Sequence, residues 1–99
     1  MIDLISKIYI DLNELVIRKV PHDKEILSTR IIKEHTKICE YCFNINNSNK
    51  DKNYMLEFKV SIKYILFILN YFISKKLINN DIYKIIEKEY KDLYYIINP

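Results

Sequence analysis

Three side chains able to bind a metal fall close together in the segment HTKICEYC: His35, Cys39 and Cys42. On a helix, positions i, i+4 and i+7 share one face, so all three can point at one ion. Zinc takes histidine nitrogen and cysteine sulfur in a tetrahedron. A fourth ligand is missing nearby, and structural zinc cysteines usually sit in turns. Ile31 and Ile38 flank the trio on the same stripe, and a free cysteine packs as a small hydrophobe. Core packing, with His35 satisfied by a polar neighbour, is therefore the favoured reading. A metal site completed across an oligomer axis is the alternative. Redox use of the C-x-x-C pair needs its first cysteine at a helix N-terminus, and Cys39 lies far down a helix. No Ser/His/Asp set stands out, nor any pair of buried carboxylates. Neither catalysis nor a cofactor is expected.

The other chemistry on offer is positive charge at helical spacing. Arg30, Lys33 and Lys37 share one face; Lys52, Lys59 and Lys63 share another; Lys84, Lys88 and Lys91 share a third. Such stripes can follow a phosphate backbone, with affinity falling steeply as salt rises. For any single stripe a solvated helix face is the favoured reading, since Glu34, Glu57 and Glu87 dilute the stripes. Nine tyrosines add possible stacking surfaces, most of them on or beside apolar stripes.

These residues must be positioned by a single small domain of 99 residues, 49% apolar, with net charge +3. A chain of this size buries only about two thirds of its surface, so an oligomer or partner would help it. It contains no glycine. That disfavours tight hairpin turns, and it rules out the Gly-rich loops that cradle nucleotide phosphates. Isoleucine, lysine, asparagine and tyrosine dominate, a bias that suits an A/T-rich genome and weakens each lysine as evidence. The segment MIDLISKIYIDLNEL does not read as a signal peptide. The apolar run from Tyr64 to Ile73 is short of the roughly 20 residues a membrane helix needs. A cytoplasmic protein that spans no membrane is expected.

Along the chain the period is helical throughout. Ile2, Ile5, Tyr9, Leu12 and Val16 make one stripe, widened by Ile8 and Leu15, and Pro21 ends that helix near residue 20. Beyond a corner with surface His22, Asp23 is a plausible N-cap. A second helix over 24–44 places Leu27, Ile31, His35, Ile38, Cys42 and Ile45 inward. The stretch NINNSNKDKN reads as a loop. A third helix over 53–78 carries two stripes. Met55, Phe58, Ile62, Ile65, Leu69 and Phe72 form one; Val60, Tyr64, Phe67 and Tyr71 form the other. Two stripes imply two packing surfaces. A fourth helix over 81–97, capped by Asn79 or Asn80, turns Ile82, Ile86, Tyr90, Leu93 and Ile97 inward. Short links make an all-α, up-down-up-down antiparallel four-helix bundle the simplest assembly.

The corner and the last two helices carry a resemblance. An amphipathic first helix ends at Pro21, followed by His22, Asp23, Lys24, Glu25 and Ile26, with Ile32 and Lys33 beyond. Leu77, Ile78 and Asn79 form a cap-like segment, with Tyr83 four residues after Asn79, and Asp92 and Leu93 follow. In this pattern the chain resembles a four-helix-bundle family. That family holds the accessory variability determinants of diversity-generating retroelements and the ribosomal RNA intervening-sequence proteins. It departs from the family at Tyr94 and Tyr95, where glycine and arginine are frequent, and at Ile31. The intervening-sequence branch's alanine-glutamate-glycine segment is missing, which tilts the match toward the retroelement branch. The resemblance implies a homopentamer that binds RNA or DNA and a reverse transcriptase, without catalysis of its own.

The expectation is therefore a non-enzymatic accessory protein whose phosphate contacts are Arg30, Lys33, Lys37, Lys59 and Lys63, on the two middle helices. The competing expectation is a small protein–protein interaction module of viral or mobile-element origin, using the apolar surface of the third helix.

Overall fold

Four amphipathic segments each bury one face, and each forms a helix in this computed structural model. It describes residues 1–18, 20–44 and 52–98. The helices are α1 (Ile2–Arg18), α2 (Glu25–Asn44), α3 (Lys52–Ser74) and α4 (Asn80–Ile97), with a 3-10 turn over His22–Lys24 leading into α2. The expected loop, residues 45–51, and the inward place expected for Ile45 lie outside the described residues. So do the side chains of His22 and Lys52.

The helices pack as a ring, α1 on α2, α2 on α3, α3 on α4 and α4 back on α1. Neighbours run antiparallel. Along α2, with the turn that leads into it, and α3, Lys24 lies over Tyr71, Arg30 over Tyr64, and Tyr41 stacks on Phe58. Along α3 and α4, Asn70 bonds Tyr83 and Lys59 lies over Tyr94. The result is the expected all-α, up-down-up-down bundle, 41 Å long and 23 by 19 Å across. That length suits helices of 17 to 23 residues laid side by side. Among the described residues no helix is long and apolar enough to cross a membrane.

The core differs from the expected stripes mainly by rotation. In α1 the buried line is Ile5, Ile8, Leu12 and Leu15. Ile2 and Tyr9, expected inward, are 61% and 42% exposed. Both lines satisfy three-and-four spacing, so the period alone cannot choose between them; the positions of α2 and α4 do. In α2 the expected Ile31, His35, Ile38 and Cys42 are buried, joined by Glu34 and Tyr41. In α4, Ile86, Tyr90, Leu93 and Ile97 are buried as expected, while Ile82 is only partly covered.

The first stripe of α3 supplies Phe58, Ile65, Leu69 and Phe72 to the core, with Ile68 beside them. Of the second stripe, Val60, Tyr64 and Phe67 are exposed and Tyr71 is half-buried. The two stripes thus have separate fates within one chain.

Helix α3 ends at Ser74, four residues before the expected Ile78. Lys76 has φ 60°. The Leu77 N–H donates to the Phe72 carbonyl at 2.9 Å and the Lys76 N–H donates to Ile73 at 2.9 Å. These two bonds form a Schellman cap, which usually places glycine at the left-handed position. This chain has no glycine, so a lysine takes the left-handed conformation at some steric cost. Leu77 and Ile78 continue the apolar pattern but belong to the link, where Ile78 still packs inward. Asn79 then caps α4, its side-chain oxygen accepting from the Ile82 N–H at 3.0 Å.

Relieving the left-handed lysine should stabilise the bundle. Lys76→Gly is expected to gain about 1 kcal/mol, which raises the Tm of a domain this size by roughly 4–8 °C. Thermal unfolding followed by circular dichroism checks this, and a lowered Tm would contradict the cap assignment.

Candidate nucleic-acid interface

The metal-ligand trio takes its place in the packing first. His35 is fully buried. Its Nε2 lies 3.3 Å from the Ile5 carbonyl oxygen and its Nδ1 lies 2.8 Å from the Tyr90 hydroxyl. A carbonyl only accepts, so Nε2 carries the proton and the Tyr90 O–H donates to Nδ1. Burial holds the imidazole below its usual pKa, which keeps it neutral. Both ring nitrogens are thus engaged. The Cys42 thiol is buried and pushed up to about 12, chiefly by burial. The partly buried Cys39 is raised for the same reason. Among the described residues no group of three or more His, Cys, Asp or Glu side chains is placed to hold a metal ion.

A carboxylate pair absent from the sequence reading lies on the far side of α1. The Lys7 Nζ sits 2.7 Å from Asp11 and 3.6 Å from Glu89 on α4. Glu89 is largely buried, and its Oε1 has no hydrogen-bond partner among the described residues. Burial and the neighbouring Asp11 push its carboxyl up to about 7, against the pull of Lys7. These residues lie 78 positions apart in sequence, so no local spacing announces them.

The five expected phosphate contacts do not form one surface. On α2, the Nε of Arg30 and the Nζ of Lys37 lie 3.2 and 3.4 Å from the same Glu34 oxygen. Arg30 also lies 5.0 Å over the Tyr64 ring. These two line a groove against α3 that includes Glu34 and Glu57, so its charge is mixed. Lys33 is exposed on α2 and, among the described residues, makes no ion pair. Lys59 and Lys63 belong instead to the groove between α3 and α4.

That second groove, of about 420 Å³, is the most coherent basic site. Lys59, Lys63 and Lys91 surround a floor of Ile62, Leu66 and Tyr90, with Tyr94 and Tyr95 on the α4 side. Lys59 lies 5.2 Å over the Tyr94 ring. Hydrogen bonds from Lys59 and from Asn98 pull the Tyr94 hydroxyl below its usual pKa. Glu87 is the one acid on the lining. Its carboxylate accepts from the Tyr83 hydroxyl at 3.2 Å and lies 3.9 Å from Lys91. Lys63 makes no ion pair among the described residues.

Lys91, Tyr94 and Tyr95 were not among the expected contacts. A signal for them exists in the chain. A hairpin folded about the link at 76–77 sets 59 opposite 94 and 63 opposite 91, which brings the α3 lysines to the one basic and two aromatic residues of late α4. Comparison with protein-family models, with curated proteins and with solved structures finds no match. The retroelement-family resemblance therefore rests on the residues that carry it.

The buried network sets a pH dependence with two opposing parts. The depressed His35 pKa contributes stability that is complete above the unfolded value of 6.5 and is lost as pH falls below it. The raised Glu89 pKa acts oppositely: its penalty is absent below 4.5 and grows until about pH 7. In Glu89→Gln, which removes the second part, stability should therefore fall from pH 7 to pH 5, by at most about 1.4 kcal/mol per pH unit. In the same background Tyr90→Phe should cost about 1–3 kcal/mol at pH 7.5 by leaving Nδ1 unsatisfied. Urea unfolding across pH reads both. Flat stability in Glu89→Gln would refute the neutral buried His35.

Proposed function

We propose that this protein is a non-enzymatic accessory bundle that binds RNA or DNA through the groove between α3 and α4. The observation that carries the proposal is the convergence of Lys59, Lys63 and Lys91 around an apolar floor edged by Tyr94 and Tyr95. Three ammonium groups facing one acid can neutralise phosphates, and aromatic rings beside them suit bases. The two α2 cations tied to Glu34 play a lesser part. The retroelement-family resemblance supports the same reading. It adds a reverse transcriptase as protein partner and a homo-oligomer, by resemblance a pentamer.

A second reading is a helical protein–protein interaction module without nucleic-acid affinity. It is favoured by the exposed apolar ridge of α3, where Leu56, Val60 and Phe67 are 60%, 54% and 70% exposed. Exposed ridges of this kind mark interaction surfaces. The same ridge suits a neighbouring copy in the first reading.

Two measurements separate the readings. Binding of a labelled single-stranded oligonucleotide is followed from about 50 to 200 mM salt, where each phosphate contact contributes roughly 0.7 to the log–log slope. Charge removal in Lys59→Gln/Lys63→Gln/Lys91→Gln should lower that slope by about 2. Arg30→Gln/Lys33→Gln/Lys37→Gln should lower it less. Binding that is weak, salt-insensitive and equal in all three proteins would sink the nucleic-acid reading. In sedimentation, Phe67→Glu should shift an oligomer toward monomer; a wild-type monomer at all concentrations would exclude self-association through α3.

A further inference from the structure

The lining of this groove favours one form of nucleic acid. We infer that it accepts a single strand, with one base stacked on Tyr95 and the adjoining phosphates held by Lys63 and Lys91. This inference rests on the nucleic-acid reading above and narrows it.

Of the two tyrosines, Tyr94 is already occupied. Its ring lies against Phe58, 6.4 Å away and 17° from parallel, and Lys59 sits over it at 5.2 Å. Asn98 also donates to its hydroxyl at 3.1 Å. Tyr95 differs. It meets Tyr94 at 68° and is 66% exposed, so most of the ring is offered to solvent. An exposed ring held beside cationic groups is what a splayed base stacks on, and such stacking tolerates any base.

The shape of the lining points the same way. Ile62 and Leu66 form a partly covered apolar floor below the lysines. A duplex carries its phosphates outside and its bases stacked within, so it can touch the lysines but leaves the floor and Tyr95 facing water. A single strand can lay its backbone along Lys63 and Lys91 and turn a base onto the ring and floor.

The test uses the full chain and fluorescence anisotropy with oligo-dT and oligo-U strands of about 12 nucleotides, within the usual range of single-strand site sizes, and a dA·dT duplex of equal length. Both strands should bind at least tenfold more tightly than the duplex. Tyr95→Ala should weaken strand binding by about tenfold and leave duplex binding and thermal melting unchanged, whereas Tyr95→Phe should bind as the wild type does. Equal affinity for strand and duplex would overturn single-strand selection, as would an unaffected Tyr95→Ala. Either result leaves salt-dependent nucleic-acid binding standing. Failure of every probe to bind would remove both the inference and the reading beneath it.

Discussion

His35 ties three of the four helices together through two hydrogen bonds. Its ring reaches from α2 to the Ile5 carbonyl on α1 and receives the Tyr90 hydroxyl from α4. Because the carbonyl can only accept, the bonds work for one tautomer of a neutral ring. A buried polar group with all its partners made is stabilising; the same group with one partner lost is costly. This gives the core a register that apolar packing alone would leave loose. Tyr9 and Tyr90 lie within 6.2 and 5.8 Å of the ring. The inward line of α1 therefore passes through Ile5 and Ile8, with Tyr9 at the margin.

Helix α3 lies outside that polar network. It is held by apolar contact and aromatic stacking, with Phe58 between Tyr41 of α2 and Tyr94 of α4 at 4.8 and 6.4 Å. A helix apolar on two sides leaves one of them uncovered in a single chain. That uncovered ridge divides the cations. Arg30 and Lys37 fall in the α2–α3 groove with Glu34, and Lys59 and Lys63 fall beyond it against α4. Electrostatics then ranks the two grooves. The first is screened internally by Glu34 and Glu57, whereas the second sets three lysines against Glu87 alone. Phosphate binding through the second groove and self-association through the ridge use different parts of α3, so one does not preclude the other.

The missing glycine shapes the ends of the helices as well. The turn between α3 and α4 needs a left-handed residue, and Lys76 supplies it. Asparagine does the complementary work at Asn79, where its side chain closes the first turn of α4. Direction is reversed within five residues, and this short link sets which α3 residues stand opposite which α4 residues. The basic groove is a consequence of that link's length.

Taken alone, the sequence determined the number of helices, their approximate spans, the stop at Pro21, a cap at Asn79 or Asn80 and the antiparallel bundle. It also determined that α3 carries two apolar stripes. Period, proline and cap signals are local, and they survive without knowledge of the neighbours. It placed His35 and Cys42 in the core for the same reason. Only the tertiary structure decided which of two equivalent stripes of α1 turns inward. It also decided that Tyr90 completes His35, that Lys7 bridges Asp11 and Glu89, and that Lys91, Tyr94 and Tyr95 join Lys59 and Lys63. A helical period gives angles around one axis. It says nothing about how far that axis is rotated against the next, and every one of these meetings between distant residues depends on that rotation.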